Sequence, residues 1–369
     1  MNIDALRRFA VARSLFPPTT LKRAFETLGY VQADPIRAPA RAQDLTLRHR
    51  VKGYRAGDLE RHYASLDIEE DFFLNYGFVT RSLHALMHPR SKSRVDRQTR
   101  GSLAQRLLAF VRERGPVHPR VVDDHFAHGT VVNYWGGSSS ATTHLLEAMH
   151  YTGLLRVARR DRGIRIYDSP LARPEPVEGR ALAAAAERRA RVDALVDIIA
   201  QIYAPLPASS LSIFTRRLRY AVPQWTKELT GAIQRARARF AQARVDGVDW
   251  YWPAGERPSE AAPPDLVRLL APFDPVVHDR ARFERLWGWT YRFEAYTPAA
   301  QRKRGYYALP LLWRDDMIGW ANLKFTNGTL DVETGYVASR PASKLYDRAF
   351  DAEVARFETF IGATSSQRR

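Results

Sequence analysis

The order in which apolar periodicities change along residues 103–167 limits the folds open to this chain more than any other feature. Leu103, Leu107, Leu108 and Val111 recur at helical spacing until Gly115 and Pro116 stop them, and Val117 to Phe126 supplies a second short helical stretch. After Gly136, Gly137 and three serines, Thr142 to Gly153 reads as a third helix with Leu145, Leu146 and Met149 on one face. Two short strands follow, Leu154 to Arg159 and Ile164 to Tyr167, around the charged turn Arg160-Asp161-Arg162-Gly163. Three short helices closed by a two-stranded ribbon are the element order of a winged helix.

The same order returns on both sides. Upstream, residues 3–15 and 19–29 read as amphipathic helices separated by Pro17 and Pro18, with Thr19 or Thr20 as N-cap, Gly29 as stop, and a further helix from Ile36 to about Val51. Downstream of a Pro-containing linker, Ser169 to Gly179, come a long helix Ala181 to Tyr203, shorter ones at Ser209 to Leu218 and Glu228 to Arg244, and a hairpin turn at Asp246-Gly247 into Asp249 to Trp252. Beyond a second proline-rich linker the period becomes two. Thr290 to Tyr296, Gly305 to Leu312, Met317 to Phe325 and Thr329 to Tyr336 read as strands, and Tyr346 to Ile361 as an amphipathic helix packed on them. The expected class is therefore α+β: tandem winged-helix (helix-turn-helix) domains with a C-terminal antiparallel β-domain. Its divisions are 1–100, 101–178, 179–255 and 265–369.

Charge narrows the partner. The 57 Lys and Arg against 40 Asp and Glu leave +17, spread as +7, +3, +4 and +3 over residues 1–100, 101–180, 181–260 and 261–369. The excess sits in folded segments and not in a detachable tail, which favours a distributed surface for duplex DNA. The absence of cysteine removes disulfides, Cys-ligated zinc, iron–sulfur sites and thiol nucleophiles. No cofactor is expected, and no metal. His125 and His128 are three apart, but no third ligand stands at a suitable spacing. With no apolar run of spanning length and no apolar leader, the reading is a cytoplasmic monomer without a membrane partner.

The segment Gln32-Ala33-Asp34-Pro35 carries the candidate chemistry. Proline holds the preceding residue extended, and in an extended segment residues i and i+2 project to one side about 6.6 Å apart. Gln32 and Asp34 are then neighbours. A carboxylate beside a carboxamide can hold and deprotonate a water while facing a developing sugar cation, which glycosidic cleavage requires. The alternative is that Asp34 caps a helix beginning after Pro35 while Gln32 lies idle on the surface.

The stretch from Leu28 through Tyr30, Gln32, Asp34, Pro35, Arg37 and Gln43 to Arg50 resembles the signature of the winged-helix DNA glycosylases of the YcaQ (AlkX) type, whose relatives include an azinomycin-resistance enzyme. Their motif is Gln, an apolar residue, then Asp. A second block agrees in order: Pro272-Phe273-Asp274-Pro275, Asp279-Arg280, Arg285-Leu286, Tyr291 to Glu294 and Gly305 to Pro310. The resemblance implies a glycosylase that removes N-alkylated purines and, in this branch, unhooks interstrand crosslinks, with Asp34 as the carboxylate acting on water or the sugar cation and Gln32 orienting that water. The chain departs from the family between about 60 and 100, and has Asn322 where an acidic residue is expected. The leading alternative is a non-catalytic winged-helix regulator, which differs in tolerating Asp34→Asn. A nuclease is disfavoured for want of an acidic metal cluster.

Candidate DNA contacts come from three places. Arg37, Arg41 and Arg48 share a face of the expected helix after the motif, with His49 and Arg50 at its end. Ser138, Ser139 and Ser140 precede a helix whose N-terminal amides can receive a phosphate. Arg302, Lys303 and Arg304 concentrate positive charge in a loop suited to probing a groove. A solvated helix face and a simple N-cap are the plain alternatives for the first two. Trp287, Trp289, Tyr291 and Phe293 alternate as on a strand and read as a core face.

Overall fold

The computed structural model describes residues 1–91, 101–126, 130–132, 138–170, 185–258 and 261–362. His128 and most of the first linker lie outside them. The chain divides into two compact units, each assembled from separated segments: residues 1–59, 196–215 and 233–369 form one, and 60–195 with 216–232 the other.

In the first unit, helix Ile3–Ser14 starts at Asn2, whose side chain accepts from the Ala5 amide, and helix Leu21–Leu28 starts at Thr20. Gly29 ends it at φ +70°, a conformation that costs glycine little. The strand Tyr30–Gln32 follows. The helix expected from Ile36 to Val51 is only Ala42–Leu47. Pro35 and Pro39 account for the difference, because proline lacks the amide a helix interior needs and disfavours helical backbone in the residue before it. Residues 33–41 are instead an irregular loop.

Later segments complete this unit with two sheets. Val248–Trp252 is central in a three-stranded antiparallel sheet between Leu206–Pro207 and Ala241–Val245. Val267–Leu269, Leu309–Trp313, Asp316–Thr326 and Thr329–Tyr336 form a four-stranded meander, with a register shift between Leu311 and Leu312. Helix Lys344–Ile361 is tied to its edge through Glu353, which accepts from the Leu269 amide at 2.9 Å. One core joins these parts, in which Leu6, Phe9 and Val11 meet Trp250, Trp252, Val276, Phe283, Tyr291 and Leu312. Thr290 to Glu294 has no regular structure, Ala295 and Tyr296 lie in a turn, and the segment pairs in no sheet. Tyr291 is nevertheless buried, and its hydroxyl donates to the Ala308 carbonyl at 2.7 Å, so the alternation marked a core face without marking a strand.

The second unit shows the expected order of helices Ser102–Arg114, Pro119–Phe126 and Ala141–Thr152, closed by the hairpin Arg156–Asp161 and Ile164–Asp168. Its core gathers Leu107, Val111, Val122, Leu146, Met149 and Val157. An additional short pair, Thr130–Val132 with Ser138–Ser140, precedes the third helix. The hairpin Ile68–Phe72 and Tyr76–Thr80, followed by helix Arg81–Met87, lies in the part of the sequence that yielded no reading. The three hairpin turns Arg162-Gly163, Asp246-Gly247 and Asn327-Gly328 all have positive φ at both residues, the backbone that matches strand twist.

Candidate active site

Val31 anchors the motif strand in the core, while Gln32 is half-buried and Asp34 is 9% exposed. The strand ends before Asp34, whose carboxylate bends back to accept the Ile36 amide at 2.9 Å, a local Asx turn. No helix begins after Pro35, so Asp34 is not a helix cap. From below, the Asp34 amide donates to Oε1 of Gln43 at 3.4 Å, and Gln43 is itself buried on helix Ala42–Leu47. Burial raises the Asp34 carboxyl above its ordinary value, and the Ile36 amide only partly offsets this. A carboxylate withdrawn from water and held by a backbone amide is a stronger base and a stronger electrostatic stabiliser than a solvated one.

The loop carrying the motif is braced by the short helix behind it. Asp44 accepts the Tyr54 hydroxyl at 2.7 Å and the Gly57 amide at 3.2 Å, and the Tyr54 ring stacks on Phe360. A hydrogen-bonded anchor thus ties this helix to residues 54–57 and to the C-terminal helix.

The second sequence block lies in the same unit and is equally constrained. The Glu294 carboxylate accepts the amides of Lys303, Arg304 and Gly305 at 2.9, 2.8 and 3.3 Å. It fixes that loop from within. Gly305 has φ +122°, and a Cβ there would lie 2.3 Å from the Asn322 Oδ1 atom, so only glycine fits. Asn322, standing where an acidic residue was expected, donates to the Arg304 carbonyl at 2.7 Å; it supports the same loop. Next to it are Tyr306, 45% exposed, and Tyr307, 4% exposed. The Asp34 charge acts on the phenols of Tyr296 and Tyr307, which places the two sequence blocks in one electrostatic environment.

The expected DNA-contact residues separate into distinct groups. Arg37 is exposed on the loop after the motif, and Lys303 is exposed on its own loop. Arg302 is half-buried over the Tyr306 ring, 5.1 Å from its centroid. Arg304 lies 5.3 Å from both Trp289 and Trp320 and donates to the Thr290 carbonyl. Arg41 is buried beside Asp44. Ser138, Ser139 and Ser140 form a strand, with the helix starting at Ala141.

Arg48, His49 and Arg50 do not share a solvent face with Arg37. Arg48 pairs with the buried Glu353 at 2.8 Å and lies over Phe357. His49 donates to the Leu269 carbonyl at 2.9 Å, and burial, then the Arg48 charge, holds it neutral well below its ordinary value. Arg50 is fully buried, bidentate to Asp274 at 2.7 and 3.0 Å, and also bonded to the Ser14 carbonyl, the Ser14 hydroxyl and the Thr46 carbonyl. Such a guanidinium has no donor left for a phosphate.

Sequence reasoning missed an acidic strand in the second unit. Glu69 meets Arg81 and Arg156, Glu70 meets Arg160 and the Tyr76 hydroxyl, and Asp71 meets Arg90 and His88. The signal was present as three acids between Ile68 and the phenylalanines Phe72 and Phe73. Asp71, His84 and His88 place ligand-type atoms within 4.8 Å of one another, but Arg90 already lies 2.6 Å from Asp71 and opposes a second cation. His125 stacks on Phe110.

The fold is that of a DNA glycosylase. Over 100% of this chain and 99% of the other it is similar to the solved structure of Streptomyces sahachiroi DNA glycosylase AlkZ, with a TM-score of 0.65 at 12% identity. The family model described as DNA glycosylase AlkZ-like matches residues 25–360, and the chain belongs to that family. The matched range contains the motif strand and the whole of the second block. Among the described residues no helix is long and apolar enough to cross a membrane.

Proposed function

We propose that the enzyme hydrolyses the N-glycosidic bond of N7- or N3-alkylated purines in duplex DNA, and releases interstrand crosslinks by the same reaction, with Asp34 and Gln32 as its catalytic pair. The observation that carries the reading is the buried Asp34 carboxylate, raised in basicity at the end of the motif strand of a DNA glycosylase. Asp34 takes a proton from water as it attacks the anomeric carbon and offsets the positive charge that develops on the sugar, while Gln32 orients that water. An alkylated purine is already cationic, so it departs without an acid to protonate it. Residues 28–50 contain no lysine, and the reaction ends at the abasic site without a Schiff-base step.

In this reading the chain works as a monomer, its four sequence divisions serving as DNA-binding modules, three of winged-helix order. Arg37, Lys303 and Arg302 supply backbone contacts nearest the site; the serines before the third helix of the second unit supply a further one. The test is base release from a duplex carrying N7-methylguanine or a nitrogen-mustard crosslink, with DNA binding measured in parallel. Release by the wild type that is lost in Asp34→Asn and reduced in Gln32→Ala, with binding retained, supports the reading. Binding without release by the wild type favours a purely DNA-binding role.

A further inference from the structure

Two of the most exposed large aromatic side chains in the described residues occur within eleven positions of each other in the unit that carries Asp34. Tyr296 is 75% exposed and Tyr306 is 45% exposed. Exposure of this kind is unfavourable unless something covers it. Both are held from behind. The Phe293 ring packs edge-on against Tyr296 at 6.0 Å and against Tyr307 at 5.2 Å, while Arg302 covers one face of Tyr306. The Glu294 carboxylate fixes the loop leading into Tyr306.

Directly after Tyr306 in sequence lies a polar group without a partner. The Tyr307 side chain is 4% exposed and its hydroxyl makes no hydrogen bond. Burying a hydroxyl unpaired costs about 1–3 kcal/mol by the usual mutational measure, and an acceptor atom on a bound ligand would satisfy it. Burial, and after it the Asp34 charge, raises the phenols of Tyr296 and Tyr307, and a cation against these electron-rich ring faces sits in the unit that carries the carboxylate.

We propose that Tyr296 and Tyr306 form an aromatic wall that receives the cationic, N-alkylated base beside Asp34, and that the buried Tyr307 hydroxyl donates a hydrogen bond to an acceptor on that base. The proposal rests on the glycosylase reading for its ligand. It adds a means of selection: the wall attracts a purine carrying positive charge more strongly than a neutral one, before any bond is broken.

The test measures equilibrium binding, not turnover. The probe is a duplex holding one N7-methylguanine on a 2′-fluoro sugar, which resists glycosidic cleavage, compared with the same duplex holding guanine. The expected result is a preference of the wild type for the methylated duplex that falls by about tenfold in the Tyr296→Ala, Tyr306→Ala double variant. The Tyr296→Phe, Tyr306→Phe pair should keep it, because the ring faces remain. Tyr307→Phe should weaken binding of the methylated duplex several-fold while the urea midpoint rises, because the unpaired buried hydroxyl is gone. Equal preference in the alanine double variant and the wild type, or no preference in the wild type, overturns the wall. Unchanged binding by Tyr307→Phe removes the hydroxyl from it. A preference that depends on the tyrosines in a protein that releases no base leaves the wall standing and defeats the glycosylase reading.

Discussion

Replacing Arg50 by Met should unfold the Asp34-bearing unit far more readily while leaving the electrostatics of DNA binding intact. The guanidinium and the Asp274 carboxylate are both fully buried, with paired distances of 2.7 and 3.0 Å, and three further hydrogen bonds saturate the arginine. Removing the arginine alone strands a carboxylate in the core and costs about 3–5 kcal/mol. Removing both, in Arg50→Met with Asp274→Leu, should cost less than the sum of the single changes, because no charge is then left unpaired. Urea unfolding followed by tryptophan fluorescence reads this unit well, since Trp250, Trp252, Trp287, Trp289, Trp313 and Trp320 all lie in it. The comparison variant is Arg37→Ala, at an exposed position beside the motif. It should leave the urea midpoint alone and reduce the slope of log affinity against log salt by about 0.9, the contribution of one phosphate contact. If Arg50→Met left stability unchanged and reduced the salt slope instead, assignment of Arg50 to the interior would be wrong.

Three further outcomes are expected. His150 is buried, with Nε2 donating to the Glu70 carbonyl at 2.8 Å, and burial lowers its pKa from 6.5 to about 4; the unfolded chain therefore binds more protons between those pH values, and stability is lost as pH falls through them, by about 3 kcal/mol. Urea titrations at pH 7 and pH 4 should show the loss reduced in His150→Gln. Because burial raises the Asp34 carboxyl, base release should climb with pH through a midpoint above the ordinary 3.8 of an aspartate and then level off; an acid limb at or below that value in single-turnover rates contradicts the role given to Asp34. Glu294→Gln weakens the acceptor of three amides and should loosen the loop of Arg302, Lys303 and Tyr306, lowering DNA affinity and base release together, each by several-fold in gel-shift and single-turnover assays.

Local chemistry made much of this architecture readable. The Arg162-Gly163, Asp246-Gly247 and Asn327-Gly328 turns, the Thr20 cap and the Gly29 stop act within a few residues, and each lies where its side chain or its lack of one requires. Helix length after the motif was misread because the charges of Arg37, Arg41 and Arg48 at helical spacing outweighed two prolines that forbid the helix. Arg50 shows a different limit. A buried arginine and a DNA-facing arginine are identical in sequence, and only the arrival of Asp274, more than two hundred residues away, distinguishes them. The same holds for the acidic strand, whose Glu69, Glu70 and Asp71 are intelligible only with Arg156, Arg160 and Arg90 around them. The Gln32 and Asp34 motif was legible in the sequence; the tyrosines were hidden because exposure is not written in any local pattern.

The discontinuity of the Asp34-bearing unit has a consequence during synthesis. Residues 1–59 emerge from the ribosome first but find Asp274, Glu353 and the meander sheet only when the last third of the chain follows. Until then Leu6, Phe9 and Val11 have no Trp250, Phe283 or Leu312 to pack against, and the helix behind Asp34 lacks its anchors on Glu353 and Phe360. Residues 60–195 and 216–232, by contrast, are complete well before translation ends. The nascent protein thus acquires the Asp34 segment at birth and the packing around it last. Messages truncated in the final hundred codons should consequently yield chains that expose an apolar amino terminus to chaperones and proteases, and not partially active enzymes at large in the cell.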